Sequence, residues 1–177
     1  MGCGKPAANQ PAPNPDKPAT APAVPAMPVS TPERTEAAKA LFERAVSDFH
    51  NLSANALPDK RTELLEGAAK RYQQLIDEYP EQKRWCAQAL RNLAGTQAEL
   101  GDPDGALKFY DRVAAEYSEQ EFEVLQAWKA AADLLWDLDR KAPAQAYYAK
   151  IVDRFDREEI PPVYKVILNL AKKRAGE

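Results

Sequence analysis

The stretches AAKRYQQLIDEYP (68–80), ALKFYDRVAAEYS (106–118) and AQAYYAKIVDRFD (144–156) align without a gap at an offset of 38 residues. In that register Tyr72, Tyr110 and Tyr148 coincide, as do Leu75, Val113 and Ile151, and then Tyr79, Tyr117 and Phe155. Steps of 4, 3 and 4 from Ala68, Ala106 and Ala144 place these residues on one face of an α-helix. The second and third stretches each follow another helical pattern, LRNLAGTQAELGD from Leu90 and WKAAADLLWDLDR from Trp128, which end in the turn residues Gly101-Asp102 and Asp139. Pro103 and Pro143 come next, where the first turn of a new helix accepts a residue without an N–H. One repeat is therefore a pair of helices.

Working outward, Phe42, Ala45, Val46 and Phe49 reproduce the same spacing and supply the first helix of an earlier pair. The segment NLSANALPDKRTELLEG (51–67) stretches the connection from it to Ala68. A last helix, from about Pro162 to Lys173 and carrying Val166 and Leu170, is expected to cap the stack. Ala94, Ala106 and Ala132 are small enough for paired helices to approach closely, and the tyrosines and aliphatics fill the space between pairs.

These residues resemble the tetratricopeptide repeat: a large residue, Leu-Gly/Ala, a turn Gly, then Ala, Tyr/Phe and a Pro-type ending. Leu90, Leu93, Ala94, Gln97, Gly101, Ala106, Tyr110, Val113 and Ser118 fill the pattern in the second repeat. Trp128, Ala131, Ala132, Leu135, Asp139, Ala144, Tyr148, Ile151 and Asp156 fill it in the third. The resemblance implies an all-α fold over residues 33–177, a right-handed α-α superhelix of about three helix pairs with a C-terminal capping helix. The 38-residue period with Tyr-Pro-type endings is similar to the repeats of the bacterial β-barrel assembly machinery lipoprotein and the Tol-Pal periplasmic coordinator family.

By the same resemblance, the first helix of each pair lines a concave groove through four positions. They are Ala40, Glu43, Ser47 and His50; Gln88, Arg91, Gly95 and Ala98; and Gln126, Lys129, Asp133 and Trp136. Arg91, Lys129 and Trp136 suit an extended or helical peptide of acidic and apolar character; the alternative is that Trp136 packs on the next helix and the cations only solvate the groove. The variant of the family that clamps acidic chaperone tails wants Lys and Asn where this chain has Glu43 and Ser47, which argues against a cytosolic co-chaperone.

Residues 1–32 differ in kind. Nine of the fifteen prolines fall there, among Ala, Asn and Thr with no aromatic residue. Such a segment buries too little apolar surface to offset its ordering entropy and is expected to be a disordered tether. At about 3.1 Å per residue its reach is on the order of 80 Å. Met1-Gly2-Cys3-Gly4 resembles the mature end of a bacterial lipoprotein, with Gly2 as the small residue before the cut and Cys3 as the lipid-bearing residue. This reading takes Met1 to stand where a signal peptide was removed; Gly4 then favours the outer membrane. Dual acylation on Gly2 and Cys3 is disfavoured by Pro6, and an unmodified cysteine is the plain alternative.

Little catalytic chemistry is on offer. The formal charge is −3 without a basic block, so nucleic acid is not an expected partner. One histidine, His50, and two distant cysteines, Cys3 and Cys86, assemble no metal set or nucleophile pair, and no glycine loop cradles phosphate. His50 is read as a solvated or groove-edge residue and Cys86 as a small buried one, with cross-linking to a partner as its alternative. Carboxylates with a cation one turn away, such as Glu36 to Lys39 and Asp104 to Lys108, are read as solvated helix faces. The sequence thus predicts a scaffold without enzymatic activity or cofactor, lipid-anchored in the periplasm, that binds a peptide or helical segment of an envelope protein. A soluble cytosolic adaptor and an accessory subunit of an envelope enzyme are the alternatives.

Overall fold

The computed structural model describes Met1 and residues 27–176, so Cys3 and most of the expected tether lie outside the described residues. Helix α1 runs Pro32–Ala45 and continues through a π-helical turn, Val46–His50, into Asn51–Ser53. Then come α2 (Pro58–Glu78), α3 (Lys83–Glu99), α4 (Pro103–Glu116), α5 (Glu121–Asp137), α6 (Lys141–Phe155) and α7 (Pro162–Ala175). Among the described residues there is no strand, and no helix is long and apolar enough to cross a membrane.

Local chemistry sets the helix ends. Thr31 and Asp102 accept from the backbone N–H groups of Arg34 and Gly105, at 3.3 and 2.9 Å, so each helix starts on a side-chain cap followed by proline. Helices α3 and α5 end in the same hydrogen-bonded motif: Gly101 N–H bonds Ala98 O and Asp102 N–H bonds Gln97 O, while Asp139 N–H bonds Trp136 O and Arg140 N–H bonds Leu135 O. That ending needs a left-handed residue, and Gly101 (φ 87°) and Asp139 (φ 57°) supply it one repeat apart.

The helices pair as α1/α2, α3/α4 and α5/α6, and each second helix also packs on the first helix of the next pair, with α7 taking that place at the end. First helices touch each other in succession. Neighbouring second helices are bridged by long side chains instead: Tyr147 Oη donates to Asp111 Oδ2 at 2.8 Å, and Lys150 Nζ lies 3.6 Å from Asp111. The layer of α1, α3, α5 and α7 is therefore the tighter, inner one. Ala68, Ala94, Ala106, Ala132 and Ala144 are fully buried where paired helices meet. Tyr72, Tyr110, Tyr148, Leu75, Val113 and Ile151 fill the core as their register requires.

Three expectations need correction. Residues 51–67 are almost all helical, and only 54–57 connect α1 to α2; the extra length goes into α2, whose 21 residues compare with 14 in α4 and 15 in α6. In α7, Val166 is exposed and Leu170 only partly buried, while Tyr164, Ile167, Leu168 and Ala171 face the core. The cause is the connection 156–161, two residues longer than 79–82 and 117–120, which turns α7 out of the 38-residue register. Asp104 pairs with Arg140 across the repeat, at 2.7 Å, rather than with Lys108, whereas Glu36 and Lys39 do pair, at 3.7 Å.

Cys86 is fully buried, its thiol donating to Tyr79 O at 3.1 Å beside the Tyr117 hydroxyl. Burial pushes the thiol up to about 11, so it is a core residue without nucleophilic character. Gly67, midway along α2, admits the ring of Phe49 from the π-helical turn, and a Cβ there would collide with that ring.

Two measurements test this packing. Gly67→Ala, which gains about 1 kcal/mol in an ordinary helix interior, should here lower stability by about 1–3 kcal/mol through overpacking; in a Phe49→Ala background the same change should stabilise, as denaturant titration would reveal. Because the folded state holds the Cys86 proton more tightly than the unfolded chain, its contribution is intact below pH 9 and is lost as pH rises toward 11. Urea titrations should show that alkaline fall, and a thiol-specific reagent should label native Cys86 on the order of 100-fold more slowly than the unfolded thiol.

Candidate functional site

The inner layer carries the positions expected to line the groove. In the third repeat Lys129 Nζ donates to Asp133 Oδ2 at 2.5 Å, and Tyr148 Oη, reaching in from α6, donates to Asp133 Oδ1 at 2.7 Å. Burial, and then the bond to Asp133, push the Tyr148 phenol up, so it remains a donor. Trp136 lies one turn further along α5. Tyr148 meets it edge to face, with centroids 6.2 Å apart, and the Arg174 guanidinium from α7 sits 3.9 Å from its ring centroid. Asp133, Trp136, Asp137, Tyr148, Leu170 and Arg174 enclose a hollow of about 270 Å³.

In the second repeat Arg91 reaches along the inner face from α3, and its Nε donates to Glu123 Oε2 on α5 at 2.7 Å. Glu123 is itself buried, so this pair bridges two inner helices. Asn92 Nδ2 donates to Tyr72 Oη at 3.3 Å. Gly95 leaves the middle of α3 bare. Gln88 lines a larger cleft of about 550 Å³ with Arg84, Glu119, Gln120, Glu121, Phe122, Glu123 and Tyr164. Phe122 is 41% exposed there, its ring 6.2 Å from that of Tyr164. Arg157 donates to Glu121 and holds that carboxylate below its ordinary range.

The first repeat contributes less. Glu43 on α1 and Ser47 in the π-helical turn are exposed, and Ser47 Oγ donates to Asp48 at 2.6 Å; neither lines the two hollows. The His50 ring is partly buried, edge-on to Tyr72 at 6.4 Å, with Nδ1 enclosed and without a hydrogen-bond partner among the described residues. Among those residues, no group of three His, Cys, Asp or Glu side chains is arranged to hold a metal ion.

The structure thus brings Lys129, Asp133 and Trp136 to one patch and Gln88 and Arg91 to a second, but engages them internally: each cation has a carboxylate, and Trp136 is covered on one side by Arg174. Sequence reasoning missed Glu123, Phe122, Tyr164 and Arg174. Glu123 lies 32 residues from Arg91 and Arg174 lies 38 residues from Trp136, both beyond any local helix spacing.

Comparison with known proteins agrees with this geometry. A tetratricopeptide repeat family model matches residues 88–119, the span of the second helix pair. A TPR-like protein from Chlorobium tepidum is similar in structure, with a TM-score of 0.50 at 18% sequence identity over 81% of this chain and 97% of that chain. No curated protein matches. The chain has a TPR-like, all-α helical repeat fold.

Proposed function

We propose that this protein is a non-enzymatic scaffold that holds a segment of another protein on its inner helical layer, and that a lipid on Cys3 moors it to the bacterial envelope, on the periplasmic side of the outer membrane. The observation that carries the binding half is the inner face itself. Polar and aromatic side chains from α3, α5, α6 and α7, most of them only partly buried, line two hollows along α5 and α7 that this fold leaves uncovered. Residues such as Gln88, Arg91, Phe122, Lys129 and Trp136 offer hydrogen bonds, charge and ring surface in the mixture that anchors peptide segments.

The anchoring half rests on sequence: a Gly-Cys pair ahead of a Pro/Ala-rich segment that ends where α1 begins. A lipid contributes about 0.8 kcal/mol per buried CH₂, so several chains on one cysteine hold a protein to a bilayer durably while the segment gives the repeats reach. The role that combines both halves is assembly or upkeep of the envelope, with the partner an envelope protein.

Expression from the complete gene, followed by membrane fractionation and mass spectrometry, should find the chain in the outer-membrane fraction with a lipidated Cys3; an unmodified cysteine in the soluble fraction would instead place it among cytosolic adaptors. For the groove, Arg91→Ala/Lys129→Ala/Trp136→Ala should keep the helical circular dichroism spectrum yet fail to recover the partner that the wild-type chain captures from detergent-solubilised envelopes. Unchanged recovery retires the groove assignment.

A further inference from the structure

The second and third repeats place the same chemistry at the same positions, with one omission. In the third, Lys129, Asp133 and Tyr148 form a chain of cation, carboxylate and phenol. Thirty-eight residues earlier stand Arg91, Gly95 and Tyr110. Cation and phenol are retained, and the carboxylate is missing.

The omission leaves a usable vacancy. A Cβ on Gly95 would stand 3.6 Å from Tyr110 Oη, ordinary contact distance, and would meet no other atom within 4 Å, so a group placed beside the bare helix there reaches the hydroxyl without a clash. Tyr110 is 5% exposed, and its hydroxyl has no hydrogen-bond partner among the described residues. It is not sealed off either: the one fully enclosed, unpartnered side-chain polar atom among those residues is His50 Nδ1. A buried phenol without a partner is costly unless something supplies one. Arg91 lies one turn before Gly95 on the same face of α3 and commits only its Nε, to Glu123, which leaves the rest of the guanidinium fork for a second acceptor. The other charges felt there, Glu99 and Asp133, are each held by a cation, Arg61 and Lys129.

We infer that the notch over Gly95 binds an aspartate or glutamate side chain of the partner segment, accepting from Tyr110 Oη and the Arg91 guanidinium and so completing the arrangement that Asp133 completes in the next repeat. This rests on the reading of the inner face as a protein-binding groove and names one of its contacts. Glycine serves twice: it withholds the competing side chain and lets the partner backbone come close to the helix.

The test has two arms. The first needs no partner: a double-mutant cycle of Gly95→Asp and Tyr110→Phe, read by urea denaturation. Gly95→Asp should supply the missing carboxylate internally, so that losing the Tyr110 hydroxyl lowers the folding equilibrium constant about tenfold more in the Gly95→Asp background than in the wild type. In the second arm, random displayed peptides are selected on the full chain. Enriched peptides should share an acidic residue; its replacement by the matching amide should weaken binding about tenfold, and Gly95→Asp should block them. An uncoupled cycle, or peptides indifferent both to the amide swap and to Gly95→Asp, overturns the notch while leaving the groove reading standing. Peptides that also ignore the Arg91/Lys129/Trp136 triple substitution, or no enrichment at all, overturn the groove reading and, because it rests on that reading, the notch with it.

Discussion

The close approach of helices over alanine is the constraint on which everything else in this molecule depends. Ala94 with Ala106, and Ala132 with Ala144, are fully buried within their helix pairs. A buried methyl contributes only about 0.8 kcal/mol, but a larger side chain there would hold the helices apart and cost about 1–3 kcal/mol in strain. The rings of Tyr72, Tyr110, Tyr148 and Phe155 are buried in the core around these alanines. The inner helices then touch, while the outer ones are joined only by reaching side chains such as Tyr147 and Lys150 to Asp111. The close contact of the inner helices is a consequence of where alanine was placed.

Most of this architecture was legible because it is local and repeated. A 3.6-residue period fixes the face of each helix, and proline and the left-handed turn residue fix its ends, so Pro103, Gly101 and Asp139 fell where the sequence put them. What stayed hidden depends on lengths and on contacts across repeats. Two extra residues before α7 rotate its apolar face, so that Tyr164 and Ile167 replace Val166 in the core. The π-helical turn at Val46–His50 carries Phe49, whose ring lies over Gly67, a contact between residues eighteen apart on two helices. In the candidate groove the residue positions were legible, but their partners were not, since Arg91 meets Glu123 and Trp136 meets Arg174 only after the stack has formed.

Internal pairing of the groove cations does not argue against binding. Partly exposed ion pairs such as Lys129–Asp133 contribute about 0–1 kcal/mol, so exchanging one carboxylate for another costs the folded chain little. Pairing matters for selectivity instead. A partner that brings no replacement acceptor must leave Arg91 with Glu123, or strand one of them half-buried, and the second outcome is expensive.

The three equivalent tyrosines carry the same logic further. Tyr72 Oη accepts from Asn92, Tyr148 Oη donates to Asp133, and Tyr110 Oη, between them, has no partner among the described residues. Their aromatic bodies are interchangeable in the core, so the repeat constrains the ring and leaves the hydroxyl open to differ. Stacking needs only that each ring fill its gap; it exerts no force on what the oxygen does. Variation free of the fold's demands is where a repeat array can acquire recognition, and in this chain it falls on the inner face, at the middle repeat, where helices on both sides shape the approach.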